Sequence, residues 1–251
     1  MIKLYSYNHS AKTLSKYSGS TISASLRNKI SKSEFTEELK SRDEYIRHFL
    51  NLDRNKLDAV SVLIDFINVN DIKSIVSLGS GSGLLEFLLC QLNDNLTVTA
   101  LDFDSALIQA ATSYFSPNSV STLKYLELDM RDFDSIDAII ANADLIVSFG
   151  ALYIYDDVEY QSLLSVLNNN NVRYIVDFHA GCLSSLGMIK TQIKNSLPVI
   201  INGHKLGIHH GFGRTDNQIR RIYKQSNYNI IQSAALTSYR KYYVLERNII
   251  V

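Results

Sequence analysis

The stretch Ile75-Val76-Ser77-Leu78-Gly79-Ser80-Gly81-Ser82-Gly83-Leu84-Leu85-Glu86-Phe87-Leu88-Leu89 decides how the rest of the chain is read. An apolar run of strand character meets three alternating glycines and passes without a break into helical periodicity, which places the glycines at a strand-to-helix turn. Glycine permits positive φ and carries no Cβ, so the backbone can approach a bound molecule closely while unpaired N–H groups at the helix start face it. The pattern predicts a ligand cradle rather than an ordinary tight turn.

Outward from this turn, short apolar runs alternate with amphipathic segments. Strands are expected at 74–78, 96–101, 122–128, 143–149, 172–178, 228–234 and 239–246. Strands separated by helices in this way predict a parallel sheet with helices on both faces. Only Ala235-Leu236-Thr237-Ser238 joins the last two runs, too short for a parallel crossover, so the final strand should be antiparallel to its predecessor. Thr215-Asp216-Asn217-Gln218 has the spacing of a capping box, opening a helix that carries Ile219, Ile222 and Tyr223. Asn168 to Asn171 reads as a turn.

Upstream, two helices are expected, one from Ser33 through Leu39, Tyr45, Ile46, Phe49 and Leu50, the next carrying Leu57, Val60, Leu63, Ile64 and Ile67. Residues 1 to about 30 read as an irregular or partly helical arm. Residues 1–70 thus form an N-terminal arm and helices on the substrate side, and residues 71–251 the main domain.

A chain of 251 residues, 46% hydrophobic with 2 prolines, can bury a sizeable core. Equal numbers of acidic and basic residues give a formal charge of zero, offering no global attraction to nucleic acid or to a membrane surface. The start lacks an apolar signal region and no later run has bilayer length, so a soluble, cytoplasmic protein is expected. Cys90 and Cys182 lie far apart and outside any CxxC spacing, which predicts two buried free thiols.

Spacing then narrows the ligand. The second strand ends at Asp102, about twenty residues beyond the turn, where a carboxylate can accept hydrogen bonds from both hydroxyls of a ribose, with Phe103 beside it. Asp104, just before Ser105 and Ala106, is the better helix cap and leaves Asp102 available. A dinucleotide site favours GxGxxG, whereas this chain has Gly79-x-Gly81-x-Gly83 with Leu84 where the third glycine would fall, which disfavours NAD.

Residues 75–89, Asp102, Leu126-Glu127-Leu128-Asp129-Met130-Arg131-Asp132-Phe133, and Asp144 through Tyr153 together resemble the ordered motifs of class I S-adenosylmethionine-dependent methyltransferases, over roughly residues 55 to 251. The resemblance implies a Rossmann-like three-layer α/β sandwich: a seven-stranded, mostly parallel sheet with its last strand antiparallel, preceded here by the N-terminal helical extension. It implies that Gly79, Ser80, Gly81 and Gly83 lie against the methionine and ribose portions of S-adenosylmethionine and that Asp102 binds the ribose hydroxyls. Asp129 would accept the adenine amino group, with Met130 against the ring. Ser148, Phe149 and Gly150 would line the floor beneath the donor methyl. The family often has an acidic residue two positions before the first glycine, where this chain has Ser77, able to hydrogen-bond the methionine amino group but not to pair with its charge.

Methyl transfer from an activated sulfonium needs the nucleophile held in line and water excluded, and a base only where the acceptor is protonated. Candidates at the ends of strands four and five are Tyr153, Tyr155, Asp156 and Asp157, then Asp177 and His179, with the His179 imidazole expected at the pocket rim. His204, His209 and His210 lack metal-ligand spacing, and Gly203 to Arg214 reads as a glycine-rich substrate loop, so no metal is expected. The tyrosines Tyr5, Tyr7, Tyr17, Tyr45, Tyr153 and Tyr155 are packing residues or part of an acceptor pocket. The expected activity is O- or N-methylation of a small-molecule acceptor, releasing S-adenosylhomocysteine, with no nucleic-acid or membrane partner and no oligomeric state specified. A non-catalytic nucleoside-binding module and a NAD-dependent oxidoreductase are the alternatives.

Overall fold

Apolar runs that expose neither face to water must be covered on both sides, and that requirement organises this chain. The computed structural model describes residues 2–5, 41–52, 55–115, 122–180, 184, 186–187, 189, 209–236 and 240–248. In chain order the elements are β1 (Ile2–Tyr5), α1 (Arg42–Leu52), α2 (Asn55–Val69), β2 (Ser74–Leu78), α3 (Leu84–Leu92), β3 (Thr97–Asp102), α4 (Ser105–Phe115), β4 (Leu123–Glu127) and α5 (Phe133–Ile140). Then follow β5 (Leu145–Phe149), a 3₁₀ turn (Leu152–Ile154), α6 (Asp157–Asn169), β6 (Tyr174–Ala180), β7 (His209–Gly213), α7 (Asp216–Gln225), β8 (Tyr228–Ala235) and β9 (Arg240–Arg247).

The main sheet has seven strands in the order β4-β3-β2-β5-β6-β9-β8. Strands β2 to β6 pair in parallel, and β9 runs antiparallel to both β6 and β8. All seven expected strands are present, and the reversal falls at the last one, as the short connection required. One face of the sheet packs Tyr45, Phe49, Val60, Leu63 and Ile67 of α1 and α2, with Leu84 and Phe87 of α3, against Ile75, Val98 and Val176. The other packs Ile136 of α5, Leu163 and Leu164 of α6 and Ile219 of α7 against Val76, Ile146 and Ile175. Helices α1 and α2 therefore share a core with the sheet that follows them.

Local signals set the element ends. Thr215 Oγ1 accepts from the Gln218 N–H at 3.3 Å and Gln218 Oε1 accepts from the Thr215 N–H at 2.9 Å, the expected capping box. Asp156 and Glu159 form a second one at the start of α6. Asn171, in the predicted polar turn, takes φ 60.

The structure corrects two expectations. Ile2–Tyr5 is not irregular: it forms a two-stranded antiparallel sheet with His209–Gly213, pairing Ile2 with Gly213 and Lys3 with Phe212. Residues 209–213 are accordingly a strand rather than a loop. Main-chain bonds between segments so distant leave no local periodicity to read. The remainder of the expected arm, the start of the first helix at 33–40, Tyr7, Tyr17, Cys182 and His204 lie outside the described residues. Cys90 is a buried free thiol, its pKa pushed up to about 12 by burial. Among the described residues no helix is long and apolar enough to cross a membrane.

Thr215→Ala should lower the unfolding free energy by about 1 kcal/mol, the usual worth of an N-cap side chain, in a urea titration followed by circular dichroism.

Candidate functional site

Strand β2 lies between β3 and β5, so the sheet order reverses beside it, and the crevice outside the carboxyl ends of such strands is where open α/β sheets hold ligands. The glycine turn sits at that place. Gly79, Gly81 and Gly83 have φ of 74, 56 and 69, a region side-chain-bearing residues rarely occupy. The Gly79 and Ser80 N–H groups donate to the Leu101 carbonyl at 2.8 and 2.9 Å, fastening the turn to the end of β3.

Two of these glycines have opposite surroundings. A Cβ on Gly83 would fall 2.4 Å from Tyr125 Cε1 and 2.8 Å from Ala111 Cβ, so the turn is packed tightly from below. A Cβ on Gly81 would meet nothing within 4 Å, so the turn is open on that side. Three side chains hold the turn in place. Tyr45 donates to the Ser82 carbonyl at 2.9 Å, Lys56 Nζ to Ser82 Oγ at 2.8 Å, and Tyr125 to the Gly83 carbonyl at 2.8 Å. Burial raises both phenols above their ordinary range, so they remain donors. Lys56 and Tyr125 were not singled out from the sequence and Tyr45 only as a packing or pocket tyrosine, because nothing local marks a residue whose partner is a distant carbonyl.

Asp102, 7% exposed, accepts from the Gly81 N–H through Oδ2 at 2.7 Å and from the Asp104 N–H through Oδ1 at 3.0 Å. Burial raises its pKa, and those backbone donors oppose the shift. Asp104 caps α4, accepting from Ala106 and Leu107 at 3.0 and 3.2 Å, as its place before Ser105 and Ala106 predicts. Phe103 beside it is 38% exposed. Asp129 turns the loop after β4 by accepting from the Arg131 N–H at 3.1 Å. Met130 is buried, with Sδ 3.4 Å from the Cβ position of Gly79, and its carbonyl accepts from the Tyr155 hydroxyl. Ser77 is buried and its hydroxyl donates to Glu86 Oε1 at 2.5 Å.

At the end of β5, Ser148 is fully buried and its Oγ has no hydrogen-bond partner among the described residues. Phe149 packs on Phe178, and the Arg240 guanidinium lies 4.3 Å from its ring centroid. Gly150 takes φ 69 with Arg240 Nη2 3.3 Å from its Cβ position, and its N–H donates to Phe178. Tyr153, in the 3₁₀ turn, is half-buried; burial raises its pKa and Arg240 opposes the shift.

His179 is placed differently from its expected position. Pairing with β9 extends β6 to Ala180, so Asp177 and His179 lie within the strand rather than on a rim loop, and both are buried. The His179 Nδ1–H donates to Asp177 Oδ2 at 2.9 Å, and that oxygen also accepts from Tyr160 at 3.0 Å and Tyr223 at 2.6 Å. His179 Nε2 has no partner among the described residues. Tyr155 is buried against Met130, Asp156 caps α6, and Asp157 Oδ1 accepts from Arg214 Nε at 2.9 Å, so these three are engaged in the fold. Among the described residues no group of three or more His, Cys, Asp or Glu side chains could hold a metal ion.

This strand order, with a glycine turn at its switch point, is the fold of class I S-adenosylmethionine-dependent methyltransferases. The human N-acetylserotonin methyltransferase, solved with S-adenosylmethionine, superposes with a TM-score of 0.58 at 16% identity over 87% of this chain and 62% of its own. The magnesium protoporphyrin IX methyltransferase of Synechocystis PCC 6803, also with S-adenosylmethionine bound, gives 0.56 at 13% identity over 92% of this chain and 100% of its own. The mitomycin 7-O-methyltransferase gives 0.58 at 14% identity over 87% of this chain and 60% of its own. The chain thus spans under two thirds of the length of the first and third, and at these identities the likeness is one of fold. No protein-family model and no curated protein matches the sequence.

The two glycines should separate folding from binding. Gly83→Ala should destabilise by about 2–3 kcal/mol through steric overlap and positive φ, whereas Gly81→Ala should lose only about 1 kcal/mol and keep a cooperative melt. Thermal and chemical denaturation of both variants checks this, and equal losses would show that the turn is packed alike at both positions.

Proposed function

We propose that the chain is an S-adenosylmethionine-dependent methyltransferase acting on oxygen or nitrogen of a small-molecule acceptor. The observation that carries the reading is the open face of Gly81 with the Asp102 carboxylate fixed beside it at the switch point. The Asp102 carboxylate accepts from the backbone N–H groups of Gly81, Asp104 and Phe103, which leaves it lone-pair capacity for a ribose hydroxyl. The backbone of Gly79 to Gly83 would lie along the methionine and ribose portions. Asp129, Met130 and Phe103 would hold the adenine, and Ser148, Phe149 and Gly150 would floor the site. When bound, S-adenosylmethionine supplies an activated methyl group, so the protein's task is positioning and exclusion of water.

His179 is the candidate base. Its Nδ1 proton is committed to Asp177, which fixes the tautomer in which Nε2 accepts, and Nε2 is the atom left for an acceptor proton. Tyr153 is the second candidate for contact with the acceptor. A small-molecule acceptor is favoured by the zero net charge and by neighbours named for N-acetylserotonin, magnesium protoporphyrin IX and mitomycin. Residues 1–70 are proposed to flank the acceptor side.

S-adenosylhomocysteine should raise the melting temperature, with about 2.7 kcal/mol of added stability at a hundred times its dissociation constant. No shift at millimolar ligand, or a shift with NAD instead, sinks the proposal. Asp102→Ala should weaken that binding by about 1.5–3 kcal/mol by calorimetry, the scale of hydrogen bonds to a charged group.

His179→Ala should lower turnover about 10²-fold or more while leaving S-adenosylhomocysteine affinity near wild type. Transfer of labelled methyl into a screened metabolite extract is the assay. Full activity of the variant would make His179 a buried structural group, and cofactor binding without transfer to any acceptor would favour a binding module.

A further inference from the structure

Glu86 is a buried acid that neither the core nor the proposed transfer step uses. It lies in the first turn of α3 and is 1% exposed among Leu84, Leu85, Phe87 and Leu89, where an apolar residue would pack without penalty. Its Oε1 accepts the Ser77 hydroxyl at 2.5 Å, and its Oε2 has no hydrogen-bond partner among the described residues. A carboxylate removed from water with one oxygen unsatisfied is destabilising unless something else comes to it. Burial raises its pKa; Ser77, its own backbone N–H and Lys56 of α2 act against that, and Asp102 of β3 adds to it. Tyr45 of α1, Tyr125 of β4 and Cys90 of α3 also lie within its electrostatic reach.

The Ser77–Glu86 bond spans the glycine turn, joining the residue just before it to the helix just after it. The unsatisfied oxygen, buried with the rest of its side chain, is thus tethered across the turn on which the open Gly81 lies. Resting on the cofactor assignment above, we propose that Glu86 receives the primary ammonium group of an amino-acid-bearing nucleoside, supplying from the helix the negative charge that Ser77 does not supply from the strand. Ser77 then acts as a positioning residue, holding Oε1 so that Oε2 faces the ligand. The site selects for the amino group itself, and not only for the nucleoside.

The test pairs one variant with one ligand change. Wild type and Glu86→Gln are titrated by calorimetry with S-adenosylhomocysteine and with its analogue in which hydrogen replaces the α-amino group. Wild type should prefer S-adenosylhomocysteine about tenfold or more, and Glu86→Gln should bind the two alike, having lost affinity for the first and kept it for the second. Glu86→Gln should also melt at or above the wild-type temperature at neutral pH, since it removes a buried charge whose folded-state pKa is raised. Equal loss for both ligands would make Glu86 a packing residue of the turn and overturn the proposal. Wild type binding both ligands equally would overturn it without any variant. Wild type binding neither would remove the cofactor assignment, and this inference with it.

Discussion

The hydrogen bond from the Gly81 N–H to the Asp102 carboxylate is the contact on which the candidate site depends. It joins the turn after β2 to the end of the neighbouring β3, and the Gly79 and Ser80 bonds to Leu101 make the same join through the main chain. Because β2 and β3 are held in parallel register from Ser74 with Thr97 to Leu78 with Leu101, the turn has little freedom relative to Asp102. The open side of the turn at Gly81 keeps its shape only if the elements around it are rigid. Tyr45, Lys56 and Tyr125 supply that rigidity from α1, α2 and β4, so helices outside the sheet are part of the site's construction.

The opposite half of the sheet is organised by a polar cluster. One oxygen of Asp177 accepts from His179, Tyr160 and Tyr223 in a fully buried setting. Burial holds both tyrosine hydroxyls protonated, with the Asp177 charge acting in the same direction, so they stay donors. Tyr160 comes from α6 and Tyr223 from α7, so two of the helices that cover this face aim a hydroxyl at one strand residue. The two hydroxyls also lie 2.7 Å from each other, so the network ties the helices to the strand and to one another, and fixes how they sit on the sheet more sharply than apolar packing does.

Much of this was legible in the sequence. The seven strands, the antiparallel last one and the Thr215 capping box follow from periodicity, loop length and cap chemistry, which are local. Asp102 and Asp104 could be told apart because only one of them stands at a cap position. What escaped was non-local: β1 finds β7 across nearly the whole chain, and β6 runs to Ala180 because β9 is there to pair with it. The same extension moved His179 from an expected rim into the strand. Ser77 was read as a missing charge, and its partner Glu86 was hidden because a glutamate in the first turn of a helix looks like an ordinary favourable helix-dipole residue.

The small sheet made by Ile2–Tyr5 and His209–Gly213 bears on how the molecule is assembled. Strand β1 is made before the other described elements, and its only strand partner among the described residues is made after β2 to β6. The five parallel strands can associate through their βαβ units as they appear, but this pairing must wait for a contact of very long sequence separation. Strand β7 runs into Arg214, buried and bonded to Tyr155 and Asp157 in the segment that follows β5, so its arrival also completes the covering over that segment. The pairing of β1 with β7 thus waits until most of the strands have been made, and the covering over the segment after β5 waits with it.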